Sequence, residues 1–139
     1  MKKMLMGAGA VFVANSVLDF VIHNVLMGAQ YQAVMNIWRS DMMDLMWISW
    51  VIGLVVAICL SWIFEKGYEG KGIVEGVRFG VIVGLMMSIG MAYGTYMSFA
   101  IPYSMALQWF LYGMVKYILL GVVLALVYQE RTEHPAESA

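Results

Sequence analysis

Polar side chains recur at helical spacing within two stretches of the sequence that are otherwise apolar. In the first stretch they are four positions apart, and they are Asn15, Asp19 and His23. In the second stretch the same spacing joins Gln108, Tyr112 and Lys116. Residues four apart lie on one face of a helix. Carboxylates, imidazoles and amines form ion pairs or exchange protons, so the sequence predicts one polar cluster built from two helix faces.

The composition places these helices in a lipid bilayer rather than in water. Of the 139 residues, 63% are apolar and 12% are charged. A soluble domain has about 25% charged residues, and a small one exposes most of its chain to water. The formal net charge is −1, so we expect no nucleic-acid partner. We expect the lipid bilayer to be the main partner.

Four apolar stretches are long enough to cross about 30 Å of hydrocarbon, which takes roughly 20 helical residues. They cover approximately residues 4–27, 42–64, 73–99 and 103–128. Short connections favour neighbouring helices that run in opposite directions. The sequence therefore predicts an all-α membrane protein. It is a single membrane domain over residues 1–139, an antiparallel four-transmembrane-helix bundle.

The start of the chain has one feature of a secretory signal peptide, because Lys2 and Lys3 precede the first apolar stretch. However, Asn15 and Asp19 interrupt this stretch, which also runs beyond the length of a signal peptide's apolar core. We therefore expect it to be retained as a membrane span.

The connection between the first two spans has its own helical pattern over residues 29–39. Its apolar side consists of Tyr31, Val34, Met35 and Trp38. Its polar side consists of Gln30, Gln32, Asn36 and Arg39. This pattern predicts a short amphipathic helix on the outer membrane surface, with Tyr31 and Trp38 at headgroup depth.

Lysine and arginine are distributed unevenly around the spans. The residues at the N-terminus, around the second connection and after the fourth span are Lys2, Lys3, Lys66, Lys71, Arg78 and Arg131. The first connection has only Arg39, and the third has neither lysine nor arginine. Because cytoplasmic segments are rich in these residues, we predict that both termini, including a tail over 129–139, are cytoplasmic. We expect the membrane to be a bacterial inner membrane.

Glu75 and Arg78 begin the third span, and we expect them to reach the interface and pair with each other.

Asp19 and Lys116 are predicted to lie at similar depth. At 1.5 Å per residue, Asp19 is roughly 22 Å from Met4, and Lys116 is roughly 18 Å from Tyr128 at the same end. The favoured interpretation is a structural ion pair that fixes helix register. The alternative is a proton- or ion-handling site in which Asp19 and His23 exchange protons beside Lys116. In a third arrangement the two groups face water or a partner and never meet.

Glycines recur every four residues in the third span, which strips one helix face of side chains and allows another helix to approach closely. They are Gly72, Gly76, Gly80 and Gly84. Gly90 and Gly94 form a further pair that is four residues apart. The pattern predicts an intimate neighbour. It does not say whether this neighbour is the first span, the fourth span or another subunit.

Some methionines and polar side chains have spacings that could hold a metal ion or a cofactor. Met42 with Met46, and Met87 with Met91, could offer thioethers to Cu(I). Packing is the favoured role of these methionines, since neither a cysteine pair nor a histidine cluster accompanies them. Cys59 lies in an apolar run and is expected to be a small core residue. Asp19, His23 and Tyr112 could bind a quinone head, but nothing requires it, so no cofactor is predicted. A bis-histidine haem is disfavoured because His23 is the only histidine within a span.

Two classes of function remain, and an enzyme is disfavoured because no complete catalytic motif is visible. The favoured class is a non-enzymatic subunit or scaffold of a larger membrane complex, with other membrane proteins or further copies of itself as partners. The alternative is a small homo-oligomeric proton- or ion-coupled transporter or channel. It would use Asp19, His23 and Lys116.

Overall fold

The computed structural model describes residues 1–129, and its helices coincide with the predicted spans. The long helices are α1 (Lys2–Phe20), continued by a π-helical segment (Val21–Leu26), α3 (Met46–Gly67), α4 (Ile73–Ser98) and α5 (Tyr103–Gln129). A short α2 (Gly28–Ala33) and two single 3-10 turns lie between the first and second of them. The four long helices are apolar enough to cross a membrane, and their bounds agree with the predicted spans to within three residues. The all-α four-helix fold is therefore confirmed. The predicted tail lies outside the described residues from position 130 onward.

Short connections reverse the chain between the long helices. Gly70 and Gly72 both have positive φ, 79° and 67°, which side chains with a Cβ rarely adopt. They turn the chain between α3 and α4. Pro102 directly precedes α5, where its missing N–H costs no helical hydrogen bond. These turns make successive helices antiparallel. We call the end that carries Lys2 and the α3–α4 connection the termini end, and the other the α2 end.

Two apolar clusters form the core, one toward each end. All four long helices contribute to the cluster at the termini end, which includes Val11, Leu60, Phe64, Val83 and Leu124. The cluster at the α2 end is built from the end of α1, the segment around α2, α4 and α5, and it includes Met27, Val34, Ala92, Met105 and Trp109. Among the described residues, α3 adds nothing to this second cluster. The buried residues of α3 all lie in its second half, from Ala57 onward, while Trp50 in the first half contacts the Phe12 ring at 6.2 Å between centroids.

The closest helix contact joins α4 to α5, and glycine makes it. A Cβ added at Gly80 would lie 2.5 Å from the Ile118 Cα and 2.5 Å from the Tyr117 carbonyl oxygen, and one at Gly76 would overlap the backbone of Gly121. Gly84 lies against Tyr117 as well. Within the chain, the neighbour of this glycine face is thus the fourth span.

The remaining glycines differ from the expectation. Gly72 precedes α4 and serves the turn. A Cβ at Gly90 or Gly94 would meet no described atom within 4 Å, so the structure does not supply the packing contact expected there. Gly90 follows Gly84 by six residues, which rotates it about 120° away from the α5 side. The four-residue line continues instead through the buried Ser88 and Ala92.

Glu75 corrects another expectation, because it does not pair with Arg78. Its side chain is buried and accepts hydrogen bonds from the backbone N–H groups of Glu69 (2.6 Å) and Lys71 (3.0 Å). Arg78 lies 3.8 Å from the Glu69 carboxylate, and Lys71 pairs with it as well. These two cations hold the pKa of Glu69 below its ordinary value. Glu75 therefore fixes the α3–α4 turn instead of reaching toward solvent.

The predicted amphipathic helix is shorter than expected and lies against the bundle. α2 ends at Ala33, and one 3-10 turn, Met35–Ile37, follows it. Val34 is buried, and the Tyr31 and Trp38 rings pack on Trp109 at 6.2 Å between centroids. Apart from the exposed Met35, the apolar side of this segment therefore packs against the bundle. Cys59 is exposed, so the expectation that it is a core residue is wrong.

Candidate functional site

Asp19 is the centre of a polar cluster between α1 and α5. Its Oδ1 lies 2.8 Å from Lys116 Nζ, and its Oδ2 accepts a 2.8 Å hydrogen bond from the Asn15 amide. The Nε2 of His23 lies 3.9 Å from the same Oδ1. The structure thus brings together four of the six residues that the polar spacing singled out.

The other two sequence candidates stay outside this hydrogen-bonded group. Tyr112 packs against the apolar cluster at the α2 end. The Gln108 side-chain oxygen is buried, and no described residue hydrogen-bonds to it. Both lie on the helix face that carries Lys116, one and two turns nearer the α2 end.

His23 lies in a segment where the helix type changes. From Val21 to Leu26 the helix is π-helical, and the Met27 N–H donates to the Ile22 carbonyl five residues back at 3.0 Å. Such π-helical insertions are rare and are found mostly where a side chain must be placed for function.

Tyr31 and Trp109 complete the cluster, and sequence reasoning missed both as members. The Tyr31 hydroxyl lies 2.6 Å from His23 Nδ1, and the Trp109 indole N–H donates to it at 2.7 Å. Two signals were present in the sequence. Tyr31 continues the four-residue series that runs through Asp19 and His23, and Trp109 is seven residues from Lys116, which is again one helix face.

Burial differs among the members of the cluster. The Lys116 side chain is 15% exposed, whereas those of Asp19 and His23 are 36% and 35% exposed. Burial raises the pKa of the Tyr31 phenol above its ordinary value, while the Trp109 N–H acts in the opposite direction. Tyr31 is therefore a protonated donor at neutral pH. The cluster holds a carboxylate and an ammonium group in contact beside an imidazole, an arrangement that can retain or pass a proton.

Polar contacts extend from Asp19 toward the α2 end and stop after one turn in the other direction. Toward the termini end, Asn15 is followed on α1 by the buried Val11, which packs among apolar side chains of α3 and α5. Toward the α2 end, His23 and Tyr31 continue the polar series. Among the described residues, the cluster thus has polar continuity on one side only.

The candidate copper ligands are separated from this cluster. All four methionines are exposed, Met42 and Met46 at the start of the second span and Met87 and Met91 on α4. α3 and α4 share few contacts, so the two pairs lie on different parts of the surface. Within residues 1–129 no group of three histidine, cysteine, aspartate or glutamate side chains is placed to hold a metal ion. The copper site stays a prediction.

The fold and the site define a class: this is a small membrane protein of four apolar helices, with an ion pair between the first and the last. Comparison with protein-family models, with curated proteins and with solved structures finds no match to this chain. The role of the protein is therefore argued from its own residues.

Proposed function

We propose that this protein handles protons within the membrane at Asp19, His23 and Lys116, as a small proton-coupled transporter or channel. The observation that carries the proposal is the contact of Asp19 with Lys116, with the His23 imidazole 3.9 Å from the same carboxylate oxygen. Ionisable side chains at membrane depth are expensive and usually serve function.

The partial exposure of Asp19 and His23 supports this role over a purely structural pair. A pair that only fixes register is most stable when neighbouring side chains cover it completely. Here more than a third of the Asp19 side chain is open. Hydrocarbon would solvate an open carboxylate poorly, so water or a partner must reach it. A carboxylate that water reaches exchanges protons.

Proton flux into vesicles tests the proposal. Purified protein is reconstituted into liposomes with a pH-sensitive dye, and a pH gradient is imposed. We expect flux above that of protein-free vesicles, and loss of this flux in Asp19→Asn/Lys116→Met, which removes both charges together. Gly90→Ala, a change in open space, is the matched control. Equal flux in wild type and the double variant would contradict the proposal.

One observation favours the other candidate, a non-enzymatic subunit or scaffold of a larger membrane complex. From Met46 to Val56, α3 has no buried residue in the described part of the chain. A transmembrane helix of another subunit could pack on this half of α3. Mass spectrometry of the protein purified under native conditions separates the two candidates. A stoichiometric partner would support the complex subunit, and the chain alone would support the transporter or channel.

For its setting, we propose a bacterial inner membrane with the termini end in the cytoplasm. The support is the charge distribution. Lys2, Lys3, Lys66, Lys71 and Arg78 all lie at the termini end, and Arg39 lies at the other. The α2 end would then face outward.

A further inference from the structure

The hydrogen bond from Trp109 to Tyr31 has a defined direction, and it leaves the phenol proton available to His23. An indole N–H can only donate, so the Tyr31 oxygen accepts from Trp109 at 2.7 Å. The phenol proton remains free to donate to His23 Nδ1 at 2.6 Å. A neutral imidazole that accepts at Nδ1 carries its own proton on Nε2. That nitrogen is the one that faces Asp19.

We propose that Tyr31, oriented by Trp109, is the residue through which protons pass between the α2 end and the His23–Asp19 site. This inference rests on the proposed proton-handling function. It adds an entry residue and a side of access that the ion pair alone does not define.

The relay begins with a hydronium ion at the α2 end, which gives a proton to the Tyr31 oxygen and is left as water, while Tyr31 passes its own proton to His23 Nδ1. The imidazolium then releases the Nε2 proton to the Asp19 carboxylate, which becomes a neutral carboxyl group. His23 is left neutral with its proton on Nδ1. It regains the first tautomer by exchanging protons with water, when Nε2 takes up one proton and Nδ1 releases the other.

The separation of 3.9 Å between His23 Nε2 and Asp19 is longer than a hydrogen bond. One bridging water or a small movement of the ring would join them. His23 lies in the π-helical segment, where the backbone is least regular. The charged groups near the ring are Asp19, 3.9 Å from Nε2, and Lys116, which contacts the same Asp19 oxygen at 2.8 Å.

The side of access follows from what surrounds Asp19. Between Lys116 and Trp109, seven residues along α5, the relay climbs about 10 Å toward the α2 end. In the opposite direction the next neighbours on the two helices, Val11, Leu120 and Leu124, are buried apolar side chains that carry no proton. The hydrogen-bonded residues therefore connect the site to the α2 end.

The first test is the tautomer of His23. The chain has two histidines, so nitrogen NMR of ¹⁵N-histidine protein in a His134→Gln background observes His23 alone. We expect a neutral ring with its proton on Nε2, and a mixture of tautomers in Tyr31→Phe, which keeps the aromatic ring in place. A wild-type ring with its proton on Nδ1 would overturn the relay. This readout does not depend on proton transport.

The second test is flux in vesicles with the protein in one orientation. We expect Tyr31→Phe to slow flux at least about tenfold, as loss of a proton-transferring side chain does. Tyr96→Phe, a tyrosine on the exposed surface of α4, is the matched control and should match wild type. If Tyr31→Phe conducts like wild type, the relay is wrong although the proposed function stands. If wild type carries no protons, the proposed function and the relay both fail, whatever the tautomer.

Discussion

Lys116 on α5 and Asp19 on α1 are 97 residues apart in sequence, and their charged atoms lie 2.8 Å apart. The pair joins the first and last transmembrane helices about halfway along the bundle. Among the described residues, Lys116 has no other partner of opposite charge. Asp19 has only His23, which is charged only when protonated. Each therefore depends on the other for its place in the membrane.

This dependence predicts non-additive stability. Asp19→Asn or Lys116→Met alone leaves one charge unpaired in an apolar surrounding, and each should lower the free energy of unfolding by roughly 3 kcal/mol. The double variant should recover most of the loss. Thermal or denaturant unfolding in detergent measures the cycle. Two single losses that simply add would mean that the residues do not interact.

The contact between α4 and α5 predicts opposite outcomes for the same substitution at two glycines of one helix. Gly80→Ala places a methyl group against the backbone of α5 and should destabilise the protein by about 1–3 kcal/mol. Gly90→Ala meets open space and should be neutral or slightly stabilising, because alanine favours the helix. Unfolding in detergent compares them. Equal effects of the two substitutions would contradict the close contact between α4 and α5.

The buried Glu75 carboxylate predicts a local change in hydrogen exchange. Glu75→Ala leaves the N–H groups of Glu69 and Lys71 without acceptors, so exchange at both amides should become much faster. Glu65→Ala, at the end of α3, is the control, because Glu65 pairs with the N-terminal amine at 3.9 Å instead of accepting from these two amides. Unchanged exchange at the two amides in Glu75→Ala would show that the turn is held by its glycines alone.

The charge distribution predicts which ends are accessible from each side of the membrane. In a Cys59→Ala background, Gln32→Cys should react with an impermeant thiol reagent added outside intact cells. Glu69→Cys should react only after permeabilisation. Removal of Cys59 is necessary because this thiol is exposed. The reverse labelling pattern would invert the topology, and access from the α2 end would then be cytoplasmic.

The four helices could be predicted from the sequence because apolar length alone decides them. The contact of Asp19 with Lys116 could be predicted too, since depth along antiparallel helices follows from residue counting. The path of the chain after the first span could not be predicted from spacing. A π-helical segment ends this span, and Tyr31 in the following α2 hydrogen-bonds to His23 and Trp109.

Spacing along the sequence also did not predict the partners of Glu75 or of two of the glycines. Glu75 and Arg78 have the spacing of a local pair, but two backbone N–H groups in the preceding turn compete for the carboxylate. Gly90 and Gly94 have the same spacing as Gly76 and Gly80, yet only the latter pair faces α5. Spacing identifies a face, while its neighbour depends on how the helices pack.

Protonation of Asp19 is the central claim, and pH-difference infrared spectroscopy of the purified protein in lipid measures it most directly. We expect the difference spectrum to contain a protonated-carboxyl band from Asp19, because the relay places a proton on this carboxylate. This band should be present in wild type and in Gly90→Ala, and absent in Asp19→Asn/Lys116→Met. A wild-type spectrum in which no band depends on Asp19 would contradict the proton-handling role. It would leave Asp19 and Lys116 as a permanent structural pair.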